Sequence, residues 1–196
     1  MARDPDQTKA RLLTAATAEF AEFGIAGGRI DRIAKAAGVN KQMIYAYFGS
    51  KDDLFDAVFN VHVGTSMALV DFDATDLPGY AGRLFDRFAD DPAALRLSVW
   101  YRLERPRGPG LQAVVAVNRV RLERLAQAQR DGAVPDHFDP VALLSLIQAI
   151  ATSWESMNPE FGAAAPTDRG YRRGAVVDAV RHLLATNQSV GKEGQS

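Results

Sequence analysis

Apolar positions near the N-terminus recur at spacings of three and four: Leu12, Ala16, Phe20 and Phe23, with Leu13 beside them. That spacing puts the side chains on one face of a helix. Asp4-Pro5-Asp6-Gln7 supplies the start, with Asp4 as N-cap, Pro5 at the first helical position and Gln7 at the capping-box position. Gly24, Gly27 and Gly28 are expected to end this helix. Ile30, Ile33, Ala34 and Ala37 then share one face of a short helix over 30–37. Gly38 can take the positive φ that terminates it, and Asn40 can cap the next helix, Lys41 to Phe48. Gly49-Ser50 breaks the pattern again. Ser50-Lys51-Asp52-Asp53 is a further N-terminal signature, with Asp near the positive end of a helix predicted to run to about Leu69.

Asp71 to Gly79 is acidic, contains Pro78 and reads as a loop between a small head and a larger body. Helices are expected beyond it at about Tyr80–Ala89, Pro92–Glu104, Leu111–Asp131, Pro140–Met157 and Arg169–Thr186. Pro- and Gly-rich loops separate them, and no stretch alternates with the period of two that a strand needs. The expected fold is all-α: a three-helix head over 1–50, a linking helix opening a helical body over 51–186, and a polar, flexible tail over 187–196.

Composition narrows the chemistry. Apolar residues make up 47% and charged residues 24% of the 196, enough for a real core. The absence of cysteine removes disulfides, thiolate metal sites and a thiol nucleophile, and fits a reducing cytoplasm. The charged N-terminus has no apolar run of the kind that directs export. The greasiest stretch, Val141 to Trp154, is too short to span a bilayer, so no membrane role is expected. The net charge of −1 hides an asymmetry: residues 1–51 carry eight Lys or Arg against five acids, which leaves the remainder at −4. A basic end on an acidic body suits a protein that offers one face to a polyanion.

Residues 30–51, IDRIAKAAGVNKQMIYAYFGSK, combine two short helices with a turn too tight for ordinary antiparallel packing. Ala34 is small where the second helix crosses, and Val39, Ile44 and Phe48 fill the wedge. Lys41, Gln42, Tyr45 and Tyr47 remain at least partly exposed on the second helix. Such side chains hydrogen-bond to bases and phosphates, and such a helix fits a major groove about 12 Å wide. The plainer alternative makes Tyr45 and Tyr47 core aromatics of a helix pair that never meets DNA.

The run RIAKAAGVNKQMIYAYFGSKDDLF, with A-x-x-A-G-V, I-Y-x-Y-F and S-K-x-x-L in register, resembles the DNA-binding signature of the TetR family of one-component bacterial regulators. The resemblance implies a helix-turn-helix head, a linking helix, a ligand-binding body and a homodimer built from the last two long helices. Carried onto this chain, Lys41 and Gln42 fall where base contacts come from, Tyr45 and Tyr47 where aromatics touch backbone or bases, and Lys51 at a phosphate contact, with Asn40 counted among the DNA-binding residues. Two positions depart from the family. Gly28-Arg29 stands where a Thr is frequent, so a phosphate contact is expected from Arg29 or from the helix N-terminal amides. Ala46 stands where a larger side chain is common, so one contact is missing.

In the body, Leu143, Ile147 and Ile150 on one helix and Val176, Val180 and Leu183 on the last are the expected dimer interface; a monomer core is the alternative. An effector pocket, if present, draws on Met67, Phe85, Phe88, Trp100, Tyr101 and Trp154, although aromatics at helical spacing are more often core. Arg96 and Arg102 are candidates for an anionic ligand or plain surface groups. His62, His137 and His182 lack any metal-ligand spacing, and no nucleotide-binding glycine motif occurs, so no metal, cofactor or catalytic constellation is expected.

The expected function is a DNA-binding regulator, a repressor released from a palindromic double-stranded operator by an unidentified small molecule. An activator or a ligand-independent regulator of the same fold is the alternative. A small helical enzyme and a partner-binding scaffold are the rivals from other classes. Lys41→Ala and Tyr45→Ala should each cost about 1–3 kcal/mol of operator binding per subunit contact, measured by titration of labelled duplex. Unchanged affinity in both discards the recognition helix.

Overall fold

Helix α1, Pro5–Gly27, starts where the Asp4 side chain accepts the Asp6 N–H at 3.0 Å and Pro5 occupies the first turn. In this computed structural model, which describes residues 4–154, 161 and 164–185, Leu12, Ala16 and Phe20 are fully buried. The helix does not stop at Gly24. That residue takes φ +65° and ψ −173°, which kinks the axis, and one more helical turn follows to Gly27. Phe23, placed on the apolar stripe by its spacing, is nearly half exposed. The Arg32 guanidinium covers its ring at 4.3 Å instead.

Helices α2, Ile30–Ala37, and α3, Lys41–Phe48, coincide with the expected pair. Gly38 ends α2 at φ +65°, ψ 38°, and its own N–H and that of Val39 bond back to the Lys35 and Ala34 carbonyls at 3.2 and 3.0 Å. This is a Schellman termination, available at little cost to a residue without Cβ. Arg29, at the N-cap of α2, has no side-chain cap bond. Glu19 of α1 compensates: its carboxylate accepts the Arg29 N–H at 2.7 Å and Arg32 Nε at 2.8 Å. Burial would push the Glu19 carboxyl up, but the bonds from the Arg32 side chain and the Arg29 amide outweigh it and hold it below the ordinary range.

Helix α4, Lys51–Phe59, is capped by Ser50, whose Oγ accepts the Asp53 N–H at 3.0 Å. A single π-helical turn, Asn60–Gly64, leads into α5, Thr65–Leu69, so helical backbone reaches Leu69 as expected. Then follow α6, Leu77–Asp90; α7, Pro92–Glu104; α8, Leu111–Arg130; α9, Pro140–Thr152; and α10, Arg169–Leu184. Asp-Pro recurs at the starts of α7 and α9, where Asp91 accepts the Ala94 N–H and Asp139 the Val141 and Ala142 N–H groups. Helix α9 ends at Thr152 and α10 at Leu184, short of the expected Met157 and Thr186, while residues 155–160, residue 186 and the tail 187–196 lie outside the described residues. Among the described residues there is no strand, and no helix is long and apolar enough to cross a membrane.

Packing divides the chain differently from a boundary at residue 50. One compact unit joins residues through Val70 to Arg87–Asn118, so it holds α1 to α5 together with α7. Its core is aromatic: Phe20 meets Phe55 edge-on at 5.0 Å, and Tyr101 lies 5.4 Å from Phe55 and 4.0 Å from Phe59. The other unit joins Asp71–Asp86 to Arg119 onward. Leu84, Phe85, Leu125, Leu143, Leu144, Ile147, Val176 and Val180 fill it, and the buried Arg121 guanidinium lies 5.3 Å from the Tyr80 ring and 5.9 Å from that of Phe72.

Gly38→Ala should destabilise the protein by about 1–2 kcal/mol, because backbone strain alone opposes it; a Cβ there would meet only Arg11 Nη1, at 3.9 Å. Gly38→Asn should cost less, both read by denaturant unfolding. Glu19 supplies a pH test. A carboxyl with a lowered folded-state pKa stabilises fully above its ordinary value of 4.5 and loses that contribution as pH falls through the folded value. The stability gap between wild type and Glu19→Gln should therefore be flat at neutral pH and close in acid; a gap that ignores pH removes the ionised Glu19 from the fold's support.

Candidate nucleic-acid interface

Helix α3 is only eight residues long, and a helix that short needs outside support. Asn40 Oδ1 caps it by accepting the Met43 N–H at 2.9 Å, which engages the oxygen of one expected DNA-contacting side chain in holding the helix. Ile44 is fully buried beneath it, with Met43, Tyr47 and Phe48 half-buried at the sides. Burial on that side leaves Lys41, Gln42 and Tyr45 on the outer face, Tyr45 at 43% exposure. Ala46 is exposed beside them and contributes only a methyl. An ammonium, a carboxamide and a phenol thus stand together within one turn, the groups that bond base edges and phosphates.

Around α3 the remaining expected residues take separate positions. Arg29 is exposed at the head of α2, and its backbone N–H is donated to Glu19. Lys51 is half-buried at the first turn of α4 and borders a cleft of about 230 Å³ with Ile25, Ala26, Asp52, Glu104 and Arg105. Asp31 of α2, not singled out from the sequence, stands 3.2 Å from Lys41 Nζ, the two side chains being 77% and 49% exposed. A pair so open to water is weak, and it tempers the positive field at the start of α3.

Helix α7 and its C-cap residue, Arg105, reach this head with three contacts. Trp100 lies against Gly24 so closely that a Cβ there would come within 2.8 Å of two ring carbons. Glu104 accepts the Ile25 N–H at 2.6 Å and the Ala26 N–H at 3.3 Å. Arg105 bonds Asp56 through Nε at 3.0 Å and Nη2 at 2.7 Å, and Asp52 through Nη1 at 2.6 Å. The Asp56 hydrogen bonds push the guanidinium pKa further up, so it stays charged. The Tyr101 hydroxyl donates to Asp56 and accepts the Gly110 N–H at 2.8 Å; burial and that carboxylate both push the phenol up. None of these partners is adjacent in sequence, and no local motif marks them. Of the two arginines weighed for an anion, Arg96 pairs with Glu22 at 3.2 Å and Arg102 is exposed.

The expected pocket residues are mostly interior. Met67, Phe88 and Tyr101 are buried and Trp100 half-buried in the first unit; Phe85 is buried in the second, where the Trp154 ring lies 5.5 Å from the Arg172 guanidinium. Of the expected dimer residues, Leu143, Ile147, Val176 and Val180 are closed within their own chain and keep no surface for a partner, while Ile150 and Leu183 are half-buried. Helices α9 and α10 pack on each other within the chain. Val141 and Leu146 are the large apolar residues that α9 leaves exposed.

Residues 12–58 match the family described as bacterial regulatory proteins, tetR family, and residues 76–182 match the tetracyclin repressor-like C-terminal domain. The chain is 40% identical over 163 residues to the HTH-type transcriptional repressor SCO4008 of Streptomyces coelicolor, covering 81% of this chain and 83% of that protein. The crystal structure of SCO4942, a candidate transcriptional regulator of the same organism, is similar at 42% identity and a TM-score of 0.80, covering 90% of this chain and 97% of that one. The fatty acid degradation regulator FadR of Bacillus halodurans shares the fold, with a TM-score of 0.63 at 20% identity over 90% of this chain and 97% of its own. With head and body matched in chain order and the polar face of α3 turned outward, this chain belongs to the TetR family of DNA-binding transcriptional regulators.

Proposed function

We propose that this protein is a homodimeric repressor that holds a palindromic operator through α3 of each subunit and releases it when a small molecule binds the helical body. The observation that carries the reading is the division of α3 into a sealed side at Ile44 and an open side at Lys41, Gln42 and Tyr45. In this reading Lys41, Gln42 and Tyr45 meet base edges, with Asn40 and Tyr47 at the margins of the groove, and Arg29 and Lys51 meet phosphates. The repressor sense rests on the name of the SCO4008 relative. Its place of action is the cytoplasm, and its work is binding, not catalysis.

A two-fold dimer repeats one recognition helix at the spacing of a DNA turn, which accounts for a palindromic site. The seam is assigned to the exposed side of α9, at Val141 and Leu146, together with the half-buried Ile150 and Leu183. The effector acts by the difference between its affinities for DNA-competent and DNA-released states, and by nothing else. A thermal-shift screen of small molecules, with hits retested for release of bound duplex, identifies it.

The test is selection of duplexes from a random library by the full chain, followed by titration at increasing salt. Enrichment of an inverted repeat bound by two subunits, with affinity falling by about 0.9 log per log of salt for each phosphate neutralised, is expected. No enrichment, or affinity that ignores salt, overturns the reading.

A further inference from the structure

Where α1 breaks at Gly24, the chain must restart a helical turn with exposed amides, and a restarted turn needs an acceptor at its N-terminal end. No side chain of that turn supplies one. Glu104 does, from 79 residues away, taking the Ile25 N–H at 2.6 Å and the Ala26 N–H at 3.3 and 3.4 Å. Trp100, one turn earlier on α7, closes the same spot by lying against Gly24. Three residues after Ala26 stands Arg29, whose own amide is fixed by Glu19. The segment from Gly24 to Arg29 is therefore held between two carboxylates, one from α1 itself and one from α7.

We infer that Glu104 is a positioning residue for DNA binding: its carboxylate anchors the turn that sets the start of α2, and with it the Arg29 guanidinium against the phosphate backbone. This rests on the DNA-facing reading of Arg29 given above. Helix α7 lies within residues 76–182, the stretch matched by the C-terminal domain, although it packs with the head. The geometry of the DNA-binding end thus depends on a carboxylate that the C-terminal part of the sequence supplies. The bond is steeply sensitive to distance: withdrawing α7 by about 1 Å would carry a 2.6 Å contact past the usual limit near 3.2 Å and uncover two amides. Any ligand that moves α7 acts on the grip through this contact.

A double-mutant cycle tests it, with Glu104→Ala, Arg29→Ala and the pair in the full chain, titrated against the selected duplex and a random one at several salt concentrations. Glu104→Ala should weaken binding to the selected duplex about tenfold, reduce the salt slope by about one per subunit, and speed exchange of the Ile25 and Ala26 amides. Added to Arg29→Ala it should cost little more, since both remove one contact. Glu104→Gln, which keeps an acceptor oxygen without the charge, should fall between wild type and alanine; if the alanine variant does not fold, the cycle is run with glutamine. Wild-type affinity in the Glu104 variants, losses that simply add to those of Arg29→Ala, or an Arg29→Ala variant with an unchanged slope each overturns the inference. If the wild-type chain itself shows no salt-sensitive DNA binding, the functional reading fails instead, so the two failures are distinct.

Discussion

The head turns on the fact that α2 and α3 are eight residues each, too short to persist in water on their own. Their shape is imposed from below. Ile33, Ala34 and Ala37 of α2 and Ile44 of α3 are buried, and Phe20 and Phe55 close the same core from α1 and α4. Gly38 sets the crossing because it alone in that turn must take a left-handed conformation. Once Ile44 is inside, the period of the helix places Lys41, Gln42 and Tyr45 outside, and no further interaction is required to aim them.

Carboxylates do the remaining positioning. Glu19 holds the start of α2, Glu104 the restarted turn of α1, and Asp52 and Asp56 grip Arg105 where α7 meets α4. Each accepts from an N–H group or a guanidinium, so these four carboxylates are engaged in structure. Asp31 is different: it stands largely exposed beside Lys41, on the helix that precedes α3. The contacts at the end of α7 also explain why packing joins it to the head: the Trp100 ring, the Glu104 carboxylate and, at the C-cap, the Arg105 guanidinium meet α1 and α4.

Local order was written in the sequence by itself. The Asp4-Pro5 start, the Gly38 stop, the Asn40 and Ser50 caps and the bounds of α2, α3 and α7 follow from residues within a turn of one another, because capping, left-handed glycine and helical spacing are short-range physics. The outward face of α3 follows for the same reason. Tertiary structure alone decided what lies between distant residues: that α1 continues past Gly24, because Trp100 and Glu104 support the break; that Phe23 stays at the surface under Arg32; and that Leu143, Ile147, Val176 and Val180 close on their own chain. Periodicity reports which side of a helix is apolar, but not which neighbour covers it, and that choice is made by packing across many residues of intervening chain.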